Sequence, residues 1–269
     1  MATEKKQSFF GGAAVLAAGV VIVKIIGALF KIPLANILGE TGNADFNNAY
    51  NIYAVLLTIS TAGLPVALSK LVSESYALGR TRQAHRTFRV SLSVFLVLGV
   101  ASFALMWWGS DLLAGFLNNP RAAYGIRALA PAVVCVGCLS AFRGYAQGRQ
   151  YMTPTAVSQI IEALCKLMLG LALSMWLLHI GQPDYIAAAG AIAGVTAGTI
   201  LSLVYMAIDY LRHRPALRRG ESCASDRAIL RRLLALAVPI TLSSSMVSLI
   251  TLIDTKLVQG RLQDALGYT

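Results

Sequence analysis

Charge is what this sequence has least of. Asp, Glu, Lys and Arg together make up 13% of its 269 residues, about half the share of a soluble domain. So few charged side chains leave too little polar surface to wet a globule, which excludes a soluble enzyme. Acidic residues are scarcer still, 12 against 23 Lys and Arg. The four cysteines (Cys135, Cys138, Cys165 and Cys223) are scattered and give neither a disulfide framework nor zinc spacing. Cys135 and Cys138 are spaced C-x-x-C, but inside an apolar run and outside any βαβ pattern, where two thiols read as small packing residues. The three histidines, His85, His179 and His213, fall in separate loops or at run boundaries, which argues against a shared metal site or a catalytic triad. There is no G-x-x-x-x-G-K-[ST] phosphate loop, so no ATP-driving module is encoded. The expectation is a protein that is not an enzyme, with no cofactor and no metal.

Long apolar runs are there in abundance. Residues of the hydrophobic class reach 57%, and mean hydropathy is +0.65. A helix needs about 20 mostly apolar residues to cross a bilayer core of about 30 Å. Seven stretches qualify: 9–38, 46–72, 90–108, 122–142, 154–178, 185–211 and 229–258. Transmembrane strands would be about ten residues long and alternating, so they are excluded. Lys5 and Lys6 before an uncharged run resemble the start of a signal peptide, but the apolar character resumes after Lys24 and no cleavage context follows. The expected fold is all-α, a polytopic membrane helix bundle.

Basic residues are distributed with one side of the membrane in mind. With the N-terminus in the cytoplasm, fifteen fall inside: Lys5, Lys6, Arg80, Arg82, Arg86, Arg89, Arg143, Arg149 and seven arginines between Arg212 and Arg232. Outer loops between spans hold Arg121 and Arg127. This is the positive-inside signature, and it reads as topology and contact with anionic lipid headgroups rather than nucleic-acid binding. Trp107, Trp108, Trp176 and Tyr185 mark the outer interface, and Phe88, Tyr145, Tyr151 and Tyr210 the inner one. The long polar connection at 212–228 divides the chain into a six-helix unit at 1–211 and a seventh helix with its tail at 229–269. A lone seventh span suggests the start of a second, missing lobe.

Four lysines remain at bilayer depth: Lys24, Lys31, Lys70 and Lys166. An ionisable group there costs at least about 2.5–3.5 kcal/mol and persists when it is paired, wet or functional. Lys24 and Lys31 are two turns apart, close to one face of the first span, with no acid in that span to neutralise them. They point to a water-filled cavity that attracts anions, although Lys31, near the outer end, also suits snorkelling. Glu162 and Lys166 have the i, i+4 spacing of an intrahelical pair, and equally suit the wall of the same cavity together with Gln159. Lys70 and Glu74 have the same spacing reversed, at the inner interface. Hydroxyls at Thr58, Ser60 and Thr61 precede Gly63 and Pro65, where a membrane helix either unwinds to line a cavity or kinks at a helix contact. Gly190 and Gly194 form a G-x-x-x-G, which reads as close helix packing.

Certain runs are more specific. Lys24-Ile-Ile-Gly-Ala-Leu-Phe-Lys31-Ile-Pro33 leads through Gly39 to Ala49-Tyr50-Asn51-Ile52-Tyr53. Gly63-Leu-Pro65 and Ser69-Lys70-Leu-Val-Ser-Glu74 follow. Later come Phe142-Arg143-Gly144-Tyr145-Ala146-Gln147-Gly148 and Met152-Thr153-Pro154-Thr155-Ala156-Val157-Ser158-Gln159. Together these runs resemble the stage V sporulation protein B and polysaccharide-biosynthesis flippases. Those are relatives of the MurJ-type lipid II flippases in the multidrug/oligosaccharidyl-lipid/polysaccharide exporter superfamily. The resemblance implies two six-helix lobes around a central cavity, of which this chain supplies the first and the opening helix of the second. It implies polyprenyl-diphosphate-linked sugars as substrates, carried across the bacterial cytoplasmic membrane by alternating access. Lys24 matches a cationic position of the family's first helix and Lys31 falls close to a second. The arginine of the lipid II flippases' second helix has no counterpart in Leu56-Leu57-Thr58-Ile59. Substrate-binding candidates are therefore Lys24, Lys31, Glu162 and Lys166, and the expected partners are the lipid-linked glycan, membrane lipids and the missing C-terminal lobe. Two other readings stay open: a cation-coupled multidrug exporter of the same superfamily, which wants an unpaired carboxylate deep in the lobe, and a non-transporting scaffold in envelope or spore assembly.

Overall fold

A computed structural model describes residues 9–213 and 223–266, and Lys5, Lys6, Arg214, Arg218 and Arg219 lie outside the described residues. The described chain is helical throughout, in the order α1 (Phe9–Thr61), α2 (Leu64–Ala77), α3 (Thr81–Trp108), α4 (Ser110–Phe116), α5 (Ala122–Gly148), α6 (Thr153–His179), α7 (Asp184–Arg212) and α8 (Asp226–Leu266). Among the described residues, six helical stretches are long and apolar enough to cross a membrane.

The first of those stretches holds two of the seven expected spans. Gly39 has φ 66° and ψ −169° in the middle of α1, a conformation open essentially to glycine alone. The helix folds back there: the Phe30 and Phe46 ring centroids are 5.9 Å apart, where sixteen residues of straight helix would separate them by about 24 Å. The second expected span, 46–72, is not one helix either. It breaks at Ala62-Gly63, between α1 and α2, and Pro65 sits at the start of α2, where its missing N–H costs nothing. The short α4 was not expected, and α8 runs on to Leu266, beyond the expected end at Val258.

Apolar side chains fill the core, Phe30, Phe95 and Leu129 among them, and also cover the outside of the bundle. Large apolar side chains such as Leu105, Met168, Trp176, Ile200 and Val204 point outward, while the buried faces of α5 and α7 are rich in Ala and Gly between larger residues such as Leu129 and Ile192. Small residues let backbones approach where helix association has no hydrophobic drive of its own. A Cβ on Gly194 would collide with the backbone of Gly170 on α6, and one on Gly198 would lie 2.8 Å from the Glu162 carbonyl oxygen. The α6–α7 crossing therefore fixes the height and rotation of the turn that carries Glu162 and Lys166. At Gly63, a Cβ would run into the Ala237 carbonyl of α8, and the Gly63 N–H donates to Thr241 Oγ1 at 3.1 Å. The break in the second span is thus a close helix contact. Two of its hydroxyls are spent within the helix, Thr58 and Thr61 each donating to the carbonyl one turn back at 2.7 Å.

Candidate functional site

A cavity of about 380 Å³ opens between the two arms of α1, α6 and α7, and its wall includes Lys24, Phe30, Tyr50, Tyr53, Gln159, Glu162, Lys166 and Val195. Three of the four candidate residues are therefore brought together, with Gln159 beside them. Lys31 is exposed and is not part of the described wall, though its charge reaches Lys166. Lys70 is exposed on α2, and its expected neighbour Glu74 pairs across to Arg232 of α8 at 3.2 Å.

The Glu162–Lys166 ion pair, one of the two readings of their spacing, is not formed as a direct contact, although the charge of Glu162 reaches Lys166. Glu162 Oε2 instead receives Arg143 Nη2 of α5 at 3.0 Å, with the two side chains only 16% and 28% exposed in the order Arg143, Glu162. Arg143 Nε also donates to Ser158 Oγ at 2.9 Å, and Ser158 in turn donates to the Thr155 carbonyl. The reading of Arg143 as an inner-loop residue that sets topology is thereby corrected: α5 continues to Gly148, so Arg143 lies within the helix and points into the bundle. A sequence signal for this existed in Gly148, a natural helix terminator placed five residues after the arginine.

Lys166 is held in another way. Its Nζ lies 4.8 Å from the ring centroid of Phe30 and 4.8 Å from that of Tyr50, within cation–π range. Phe30 is a fixed post, 1% exposed, wedged between Phe46 and the backbone of Gly170. The two rings therefore anchor the ammonium without cancelling its charge. Arg143 reaches Glu162 from outside the cavity wall and offsets the carboxylate, so the positive charges of Lys24 and Lys166 remain on the wall. Gln159 Oε1 adds an enclosed acceptor with no hydrogen bond among the described residues. The arrangement suits a compact anion entering from the open side of the bundle. Among the described residues no group of His, Cys, Asp and Glu is arranged to hold a metal.

The family model for polysaccharide biosynthesis proteins matches residues 9–266. The chain belongs to that family. Among curated relatives it is 31% identical over 208 residues to the lipid II flippase MurJ of Bacillus subtilis, covering 72% of this chain and 38% of the relative. It is 29% identical over 253 residues to the B. subtilis membrane protein YabM (93% and 47%), and 29% identical over 240 residues to the B. subtilis stage V sporulation protein B (88% and 46%). The chain thus spans about half the length, or less, of the curated relatives it matches. Solved structures share the fold at low identity. A MATE transporter in complex with MaD5 aligns at TM-score 0.76 and 16% identity, over 91% of this chain and 57% of that one. A MOP superfamily transporter from Pyrococcus furiosus aligns at 0.71 and 16%, over 89% and 53%. The chain is therefore a multi-pass membrane protein of the polysaccharide biosynthesis family that shares its fold with transporters of known structure, and one of its curated relatives is a lipid II flippase.

Proposed function

We propose that this polysaccharide biosynthesis family member is the first lobe of a flippase that moves polyprenyl-diphosphate-linked sugars across the bacterial cytoplasmic membrane by alternating access. In this reading α1–α7 form the lobe, the polar connection after Arg212 is cytoplasmic together with the N-terminus, and α8 opens the second lobe. One observation carries it: Lys24 and Lys166 share a cavity wall whose single carboxylate, Glu162, is already offset by Arg143. A diphosphate is a compact dianion. A cation 4 Å from a unit anion contributes about 1 kcal/mol in bulk water and about 4 kcal/mol near a partly dehydrated protein surface. Two ammoniums against one carboxylate that Arg143 already engages therefore select that headgroup over neutral lipid, while the polyprenyl chain stays in the bilayer. Lys31, exposed and outside the wall, is assigned to the approach of the headgroup.

In the full-length protein, Lys24→Ala and Lys166→Ala are expected to abolish translocation of the lipid-linked sugar into or across vesicles with no loss of membrane abundance. Full activity of Lys24→Ala in a cell that depends on the protein would sink the assignment. A cation-coupled exporter needs a free carboxylate, and the Arg143 pairing of Glu162 weighs against it. A scaffold would tolerate both lysine substitutions while failing on changes at the Gly194 helix crossing.

A further inference from the structure

A second cavity, of about 710 Å³, lies where α3 and α8 begin, away from Lys24 and Lys166. One wall is the first turns of α3, with Arg82, His85, Arg86 and Arg89, and the facing residues are Cys223 and Asp226. Positions 82, 86 and 89 fall on one helical face. Arg86 Nε is 2.7 Å from Asp226 Oδ1, and His85 Nδ1 lies 2.9 Å from the Tyr210 hydroxyl. Among the described residues, three guanidiniums and one carboxylate line this concave surface, so cations outnumber anions on its described wall.

The same face of α3 changes character farther along. Ser93 lines the far edge of the cavity, and beyond it Leu96, Val97 and Val100 are exposed by 46%, 67% and 49%. Arg89 and Val100 are about 16 Å apart along the helix at 1.5 Å per residue. A cationic pocket thus stands directly above an outward-facing apolar strip of one to two turns. A free anion would use the pocket alone, whereas a molecule with a phosphate at one end and hydrocarbon below it would use both.

We propose that this corner is a binding site for an anionic phospholipid, its headgroup phosphate held by Arg82, Arg86 and Arg89 and its acyl chains laid against Leu96, Val97 and Val100. The phosphate and Asp226 compete for Arg86, so the bound lipid bears on the entry into α8. The site rests on the chain being a membrane protein and not on what the central cavity carries.

The test is lipid retention by the purified full-length protein, read by native mass spectrometry during titration with phosphatidylglycerol, phosphatidylcholine or inorganic phosphate. Phosphatidylglycerol is expected to bind in preference to phosphatidylcholine, and millimolar inorganic phosphate is expected not to displace it. Each basic residue near an anionic membrane surface contributes about fivefold in affinity, so R82Q/R89Q should lower phosphatidylglycerol affinity by at least about fivefold. R227Q/R231Q removes two exposed arginines of α8 and should leave it unchanged, as should Lys24→Ala. D226N frees Arg86 without removing a cation and should raise the affinity. Equal losses in R82Q/R89Q and R227Q/R231Q would reduce the effect to diffuse surface charge and overturn the proposal. Displacement by inorganic phosphate would overturn the lipid assignment. A fall in affinity in D226N overturns it too, even if the arginine variant does not fold.

Discussion

Glu162 and Lys166 are one turn apart on α6, yet each finds its partner elsewhere, and the two substitutions should therefore behave differently. Arg143→Met leaves the half-buried Glu162 carboxylate without its cation. Breaking a fully buried pair costs about 3–5 kcal/mol, and partial exposure to the cavity lowers the expectation here to about 1–3 kcal/mol. Thermal unfolding in detergent should show this loss for Arg143→Met and its recovery in the double variant R143M/E162L. Lys166→Met removes the direct contacts with Phe30 and Tyr50, worth about 0.5–2 kcal/mol, while Glu162 keeps its ion pair with Arg143. Methionine keeps much of the packing, so stability should be nearly unchanged while transport is lost. The sequence spacing made the Glu162–Lys166 pair plausible because α6 alone was in view. Arg143 is nineteen positions away in sequence and becomes a neighbour because the short turn between Gly148 and Thr153 brings the end of α5 beside the start of α6.

At the scale of elements, the glycines of α7 look alike in sequence and differ in what they touch. A Cβ on Gly190 meets the tip of the Leu177 side chain, whereas one on Gly194 meets the backbone of Gly170. A side-chain end moves aside at low cost; a helix backbone does not. Gly194→Ala is therefore expected to destabilise by about 1–3 kcal/mol and Gly190→Ala by clearly less, as a difference in unfolding midpoint between the two variants. Equal midpoints would show that the crossing does not depend on the Gly170 approach. The reversal at Gly39 is a second such position: Gly39→Ala meets no steric neighbour within 4 Å, yet should cost about 1–3 kcal/mol through its backbone conformation alone. Gly79, with φ 69°, ends α2 in the same left-handed region and turns the chain into the arginine-bearing start of α3. A run of apolar residues reveals that a helix can exist there but not where it doubles back. For this reason 9–38 and 46–72 were legible as apolar segments, while the shared helix and the break at Gly63 were not.

Across the whole molecule, most basic groups gather at one end, while aromatic rings mark both: Arg149 lies 5.6 Å from the ring centroid of Tyr145, which packs on Phe88 and Tyr210. Arg149, Arg212 and the start of α8 share one end, with Arg149 Nη1 donating to the His213 carbonyl at 3.1 Å. At the other end Tyr124 packs on Tyr185 at 5.2 Å, and Thr41 donates to Asp184 at 3.3 Å. The positive-inside bias then predicts that Cys223, in a background lacking Cys135, Cys138 and Cys165, is labelled by a membrane-impermeant maleimide only when the cytoplasmic face is opened. Labelling from outside intact cells would reverse the proposed orientation. Three polar ties also bind α8 to the rest of the bundle: Arg86–Asp226, Arg232–Glu74 and the Gly63–Thr241 hydrogen bond. Gly63→Ala should disturb the last of these and accelerate hydrogen exchange in α8 around Thr241, with α6 and α7 unaffected.

The sequence by itself determined the class of this protein. Low charge, long apolar runs and the asymmetry of the arginines follow from the cost of placing polar groups in hydrocarbon, and that cost acts on each residue wherever its neighbours are. It also singled out four lysines, Lys24, Lys31, Lys70 and Lys166, because an ammonium at bilayer depth stands out against an apolar run, and two of them line the cavity. What only the tertiary structure decided is which side chain each charge meets directly. Arg143 reaches Glu162 from α5, Phe30 and Tyr50 reach Lys166 from the two arms of α1, and Lys31 stays outside the wall. Electrostatic pairing depends on distances of a few ångströms between separate helices, and those distances are set by glycine contacts and a backbone reversal that hydropathy does not register.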